Sequence, residues 1–327
     1  MSGTTPPPTR DLPAGRHQFH KERLMTLIDE ETRRRLSSVP RRRRWALLRP
    51  AVAVPALALL VASAAGVVVT VAGGEPAGRP AGMSPAVVQR LDQMALVAAT
   101  RSTVLARPGQ FVYVRSRTIT TETVVTADAG GSSGEPSVRR VDAERQVWES
   151  LDGYRGWLIT TDPSFPEEGV ALDNPAEPYL NGPSYDLLAS LPTDPDELLA
   201  RIYRETKGAG AGPDQQAFVT VGDLLSESNP PAPLYAALFR VAGKIPGVFV
   251  MEGAVDAAGR HGVGLARVDD AAGVRDELIF DPADSTFLGA RSVQLRDADG
   301  IKAGAVRSSS AVLTRAFADR MRQVPND

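Results

Sequence analysis

Residues 111–125 read FVYVRSRTITTETVV, a run of β-branched and aromatic side chains that partly alternate with polar ones. This pattern is typical of a long strand in an antiparallel sheet that has one face toward water. Residues 138–149 (VRRVDAERQVWE) and 157–161 (WLITT) have the same character, and an Asp-Gly turn at 152–153 lies between them. The three runs predict a meander of antiparallel strands.

The C-terminal part of the chain repeats this strand pattern. Strands are predicted at 248–255, 262–269, 274–280 and 287–295, separated by turns rich in Asp and Gly. Residues 308–319 fit a strand or a helix by pattern alone. Between the two strand groups, residues 184–244 carry helical signals, the clearest being Asp194 as N-cap, Pro195 at the first position and Glu197 completing a capping box. Strands on both sides of a helical block predict the α+β class, with an antiparallel sheet of about six to eight strands.

An uncharged run precedes this domain. All 22 residues of the range 51–72 (AVAVPALALLVASAAGVVVTVA) are uncharged. As a helix they reach about 33 Å, enough to cross a bilayer core. A buried soluble helix is seldom apolar for so long, and a cleaved signal peptide has a shorter apolar region and a shorter leader. We therefore expect one uncleaved transmembrane helix. The residues that flank its predicted inner end are Arg41, Arg42, Arg43, Arg44, Trp45 and Arg49.

The distribution of charge predicts the orientation of this helix. The whole chain has a net charge of −2, but residues 1–49 are strongly basic and the remainder is acidic. The positive-inside rule then places the N-terminus in the cytoplasm and the C-terminal domain outside the cell membrane. Because topology and lipid phosphates already account for the arginines, we expect no nucleic-acid partner.

The predicted cytoplasmic segment, residues 1–50, contains one amphipathic helix over about 16–36. Its apolar positions Phe19, Leu24, Leu27 and Ile28 recur at roughly helical spacing. A single short helix cannot form its own core, so it either lies on the inner leaflet or docks on a partner.

The predicted boundaries divide the rest of the chain into three parts. Residues 73–83, rich in Gly, Pro and Ala, form a flexible linker between the membrane helix and the outer part of the chain. Residues 84–319 form the extracytoplasmic α+β domain, which opens with a helix over 84–104, and residues 320–327 form a tail.

The chemistry-bearing residues argue against catalysis. The chain has no Cys and three His, which excludes thiolate nucleophiles, disulfides and Cys-ligated metals. No phosphate loop, dinucleotide fingerprint or nucleophile elbow is present. His261 lies among turn residues, and the acidic pairs near 269–270 and 297–299 lack the spacing of a calcium loop. We expect no enzyme activity, no cofactor and no metal.

Several motifs carry a resemblance to known proteins. DLPAGRH at 11–17, LPTDPDELLARIY at 191–203, GKIPGV at 243–248 and ELIFDPADSTFLGARSV at 277–293 resemble actinobacterial single-span membrane proteins of unknown activity, which are encoded beside extracytoplasmic-function sigma factors. The outer part is similar, more loosely, to the half-barrels of lipoprotein carriers and envelope sensors. That resemblance implies a curved sheet that wraps a helical layer. The zinc motif of many anti-sigma factors is missing, since it needs Cys.

Three functions remain open from the sequence. The first is a non-enzymatic membrane protein whose outer domain senses a lipid or protein ligand and is linked to sigma-factor regulation. The second is a membrane-tethered carrier of lipid or lipoprotein, and the third is an envelope hydrolase. A deep dry pocket favours carriage, a filled core favours contact with a protein, and converging titratable groups favour catalysis.

Overall fold

The structure is a computed structural model that describes residues 85–100, 105–124, 137–298 and 301–325. The helices of these ranges are α1 (Pro85–Ala99), α2 (Tyr185–Ser190), α3 (Pro195–Glu205), α4 (Pro213–Ser226) and α5 (Ala232–Ala242). The strands are β1 (Phe111–Val124), β2 (Ser137–Ser150), β3 (Gly156–Thr160), β4 (Val170–Ala171), β5 (Val248–Val255), β6 (His261–Asp269), β7 (Val274–Phe280), β8 (Phe287–Gln294) and β9 (Val306–Ala318).

All of these strands belong to one open, curved antiparallel sheet. Their order is β4-β3-β2-β1-β9-β8-β7-β6-β5, so each half of the sheet is a meander of neighbours in sequence. The two meanders join where β9 pairs with β1, with a bulge at Arg115/Ser116. The helical block lies between the meanders in sequence and covers one face of the sheet, which we call the helix face. The other is the outer face.

The main core lies between the helices and the β5–β8 half of the sheet. Helix α5 is apolar almost all round and is buried on nearly every side, as expected for a helix inside a core. The ring of Phe239 of α5 packs against that of Phe280 of β7 in a tilted arrangement with centroids 4.8 Å apart, and the Phe280 ring contacts Phe287 of β8 with centroids 5.6 Å apart. These rings and the surrounding leucines fill the space between the helices and this half of the sheet.

The outer face has its own smaller cluster at the β1–β3 side. Phe111, Tyr113 and Trp148 are buried there, with Trp157 packed against them. The C-terminal segment after β9 returns to cover this cluster, and the indole N–H of Trp148 donates to the carbonyl oxygen of Gln323 at 2.6 Å. Residues 320–325, which the sequence presents as the start of a tail, are therefore packed against the sheet.

The structure agrees with the predicted class and refines several boundaries. Asp194 caps α3 as predicted, since its Oδ1 accepts hydrogen bonds from the backbone N–H groups of Asp196 and Glu197 at 3.0 and 2.9 Å. Residues 306–318 are a strand, because β1 and β8 flank them and supply hydrogen bonds on both sides. Over the described residues the sheet has nine strands, whereas the sequence predicts about six to eight. The strand without a sequence signal is β4, whose two residues are too few to form a periodic pattern. Helix α1 ends at Ala99, before the predicted 104.

Candidate ligand-binding site

The helix layer leaves part of the helix face of β1, β2 and β9 half-exposed. Near the start of β1, Val112 and Val114 are buried beneath Tyr185 of α2. Further along, Ser116 and Thr118 of β1 line a small cavity. Its full lining is Val114, Ser116, Thr118, Arg145, Val147, Ser226, Glu227, Ser310, Ala311 and Val312. We call these residues the strand groove.

The groove exists because strand pairing aligns residues from three strands. Ser116 lies opposite Arg145 of β2 and opposite Val312 of β9, while Val114 lies opposite Val147. Directly paired residues of an antiparallel sheet point to the same face. The enclosed space is about 30 Å³, enough for about one water molecule, and it opens beside half-exposed strand residues.

The end of α4 forms the opposite wall of the groove. Arg315 of β9 fixes that end to the sheet, because its Nη2 donates to the carbonyl oxygens of Leu225 at 2.7 Å and Ser226 at 3.1 Å. These are the carbonyls that a helix C-terminus leaves without intrahelical partners. A cation at this position also interacts favourably with the negative end of the helix dipole. Ser226 and Glu227 are thereby held over β1.

Three polar side chains of the groove stand out by their lack of partners. Within the described ranges, the hydroxyls of Ser116 and Thr118 and the guanidinium of half-buried Arg145 make no side-chain hydrogen bond or ion pair. Glu227, the other charged residue of the lining, is already engaged in an interaction. A half-buried cation that lies beside two hydroxyls, above an apolar floor formed by Val114 and Val147, suits an amphiphile with an anionic group.

A second polar cluster lies where α4 begins, and its members bind one another. The amide nitrogen of Gln215 donates to Asp276 Oδ2 at 2.7 Å, and Arg267 donates to the amide oxygen of Gln215. Burial raises the pKa of Asp276. Burial, followed by the hydrogen bond to Asp214, raises the pKa of Tyr203 to about 12. These groups join α3 to α4 and α4 to the sheet.

The structure also bears on the residues that the sequence singles out for other roles. His261 is exposed at the first position of β6. The described residues contain no group of three or more His, Cys, Asp or Glu arranged for a metal. Within the same ranges, no helix has both the length and the apolar character that crossing a bilayer requires.

The predicted span 51–72 and its flanking residues Arg41, Arg42, Arg43, Arg44, Trp45 and Arg49 lie outside the described residues. The docking positions Phe19, Leu24, Leu27 and Ile28 lie outside them as well. The anchor and the cytoplasmic helix therefore stay predictions.

Sequence reasoning missed the strand groove. Ser116, Thr118 and Arg145 occupy alternate positions of predicted strands, and polar residues at such positions ordinarily face water. One signal in the sequence could have revealed the groove. Arg115 and Arg117 alternate with Ser116 and Thr118, so that both faces of this part of β1 carry polar side chains. On the outer face, Arg115 and Arg117 pair with Glu144 and Asp142.

Comparisons with known proteins do not identify a family for this chain. No protein-family model matches the chain, and no curated protein matches it. Among the solved structures that match is a LolA superfamily protein from Nitrosomonas europaea, with 10% identity over 73% of this chain and 95% of that chain and a TM-score of 0.20. It is a weak structural neighbour that supports no conclusion about function. The comparisons do not support the actinobacterial or sigma-factor context.

Proposed function

We propose that this chain is a membrane-anchored, non-enzymatic binding protein whose outer domain holds an amphiphilic ligand, a lipid or the lipid group of a lipoprotein, in the strand groove. The observation that supports it is that Arg145, which has no side-chain partner among the described residues, lies with Ser116 and Thr118 above the apolar side chains of Val114 and Val147. A carrier must meet the head and the chain of its ligand with different surfaces, and this groove has both.

Entry of an acyl chain requires the groove to widen. The enclosed space of about 30 Å³ is far smaller than a lipid chain, and the main core is filled by aromatic rings. The contact that closes the groove is polar, with Arg315 donating to Leu225 and Ser226. Moving the end of α4 away from β9 exchanges these hydrogen bonds for bonds to water. The Phe239–Phe280 contact in the core can stay in place.

The anchor gives this binding site a location. A span at 51–72 and a linker at 73–83 hold the domain within reach of the outer leaflet, since the linker extends to at most about 40 Å. The ligand then has a short path between the bilayer and the groove. In this proposal the protein resides in the cell membrane with its N-terminus in the cytoplasm.

Photo-crosslinking in nanodiscs tests the proposal with the full chain. The nanodiscs contain a phospholipid with a diazirine near the end of its acyl chain, and crosslinked peptides are identified by mass spectrometry. We expect crosslinks to β1, β2 and β9 in addition to those in 51–72. Ser116→Trp fills the groove and should abolish the strand crosslinks, whereas Ile119→Trp on the outer face of the same strand should retain them. Crosslinks confined to 51–72 would contradict the proposal.

The same assay tests the role of charge. With headgroups varied at constant chain length, the strand crosslinks should favour an anionic over a zwitterionic lipid. Arg145→Gln should remove that preference. Arg140→Gln is the matched control, because Arg140 lies on β2 but faces outward and is exposed. Equal crosslinking of both lipids in the unmodified chain would contradict an anionic ligand.

Sensing linked to a sigma factor is the second candidate function. The filled core between the helices and β5–β8 favours it, because a filled domain is better suited to contact with a protein than to enclosing a lipid. In this reading the cytoplasmic helix with Leu24 and Leu27 carries the contact to the sigma factor. A loss of strand crosslinks together with retained sigma-factor binding would favour this function over carriage.

A further inference from the structure

A second cavity shares no residue with the strand groove. It is formed by α1, β6 and the turn between β7 and β8, and it has a volume of about 150 Å³. An apolar cavity of that volume accommodates a molecule about the size of benzene. Its lining is Arg90, Gln93, Met94, Val97, Val263, Asp281, Pro282 and Ser285. We call it the α1 cavity.

The turn that forms one wall of this cavity has an unusual backbone. Ser285 has a φ of 59°, in the left-handed region that residues other than glycine rarely adopt. The turn is held by the Ser285 N–H, which donates to the carbonyl oxygen of Asp281 at 3.0 Å, and by the Ala283 N–H, which donates to Asp281 Oδ1 at 2.8 Å. This conformation places the Ser285 side chain in the lining of the cavity.

The polar groups of the α1 cavity are available to a ligand. Ser285 is only 4% exposed, and over the described part of the chain its hydroxyl has no hydrogen bond. The guanidinium of half-buried Arg90 likewise has no hydrogen bond or ion pair there. Arg90 and Asp281 line the same cavity without pairing with each other. Arg90 and Ser285 both line the cavity, so a ligand with a carboxylate can pair with them there.

We propose that the α1 cavity binds a small apolar α-amino acid, from alanine to valine in size. Its carboxylate would bind Arg90 and the Ser285 hydroxyl, and its ammonium group would bind Asp281. Its side chain would contact Met94, Val97 and Val263. A zwitterion accounts for both charges of the cavity, whereas a simple anion would leave Asp281 facing a like charge.

Three molecules of nearly equal shape test this assignment. Valine carries both charges, isovalerate lacks the ammonium group, and isobutylamine lacks the carboxylate. We expect valine to bind the full chain in detergent solution by calorimetry and to raise its thermal unfolding temperature. Isovalerate and isobutylamine should bind at least about tenfold more weakly, since each lacks one charge-assisted contact. Phenylalanine should be excluded by the size of the cavity.

Variants locate the binding. Arg90→Gln and Asp281→Asn should each weaken valine binding by at least about tenfold, and Ser285→Ala should weaken it less, because a neutral hydroxyl contributes less than a charge. Arg204→Gln, at an exposed position of α3 outside the cavity, is the control and should bind valine normally. An absence of valine binding, equal binding of all three molecules, or unchanged binding by Arg90→Gln would each overturn the assignment.

Discussion

Removing the buried carboxylate of Glu277 is the change for which the structure gives the most definite magnitude. Glu277 lies on the outer face of β7 with a side chain that is 0% exposed. Its Oε1 accepts hydrogen bonds from Arg275, and its Oε2 accepts hydrogen bonds from Arg291 on β8, with distances of 2.6–2.8 Å. One carboxylate therefore balances two guanidinium groups whose side chains are 26% and 17% exposed.

Glu277→Ala should lower the free energy of unfolding by about 3 kcal/mol. Breaking a buried ion pair by removing one partner costs about 3–5 kcal/mol, and the lower figure applies because both arginines can turn partly toward water. The matched comparison is Asp142→Ala on the outer face of β2. Arg117 binds Asp142 through two hydrogen bonds of 2.8 and 2.7 Å and thereby lowers the pKa of this carboxyl. Both side chains are nearly 40% exposed, so its loss should cost at most about 1 kcal/mol.

Thermal and urea unfolding of the full chain in detergent, followed by tryptophan fluorescence, measures both costs. For a domain of this size, each kcal/mol lowers the melting temperature by about 2–4 °C. Glu277→Gln keeps the side-chain volume but turns an amide NH₂ toward one arginine, so a cost that persists in this variant is electrostatic and does not come from a cavity. Equal destabilisation by Glu277→Ala and Asp142→Ala would refute the reasoning, because burial is the main difference between the two sites.

Three further outcomes are expected. A Cys introduced at Ser133 should react with an impermeant reagent in intact cells and one at Ser37 only after lysis; the reverse pattern would exclude the proposed topology. If the cytoplasmic helix binds a sigma factor, Leu24→Asp with Leu27→Asp should abolish co-purification of that sigma factor from membranes, and unchanged co-purification would show that the segment is only a leader. Because burial raises the pKa of Asp276 above its ordinary value of 3.8, the folded state holds this proton to higher pH than the unfolded state. The stability from protonated Asp276 is complete below that ordinary value and is lost as pH rises through the folded-state pKa. Asp276→Asn should flatten this decline in urea unfolding measured across the same pH range, and an unchanged pH profile would argue against the burial.

The sequence alone determined the local elements of this protein. The alternation in FVYVRSRTITTETVV predicts a strand because successive side chains of a strand point to opposite faces. Asp194 and Pro195 predict the start of α3 because a cap acts within one turn of its own helix. Both signals lie within a few residues of the structure that they cause. The strand groups on both sides of a helical block were enough for the class.

Only the tertiary structure decided which distant residues meet. Arg145 joins Ser116 and Val312 because β2 and β9 pair with β1 in one particular register, and a shift by one residue would send each side chain to the other face. Nothing near residue 312 in sequence encodes that partner. The α1 cavity has the same origin, since it joins a helix at 85–99 to a turn near 285. Long-range packing free energy selects such contacts from many that the local sequence permits equally, and for this reason both candidate sites were visible only once the chain was folded.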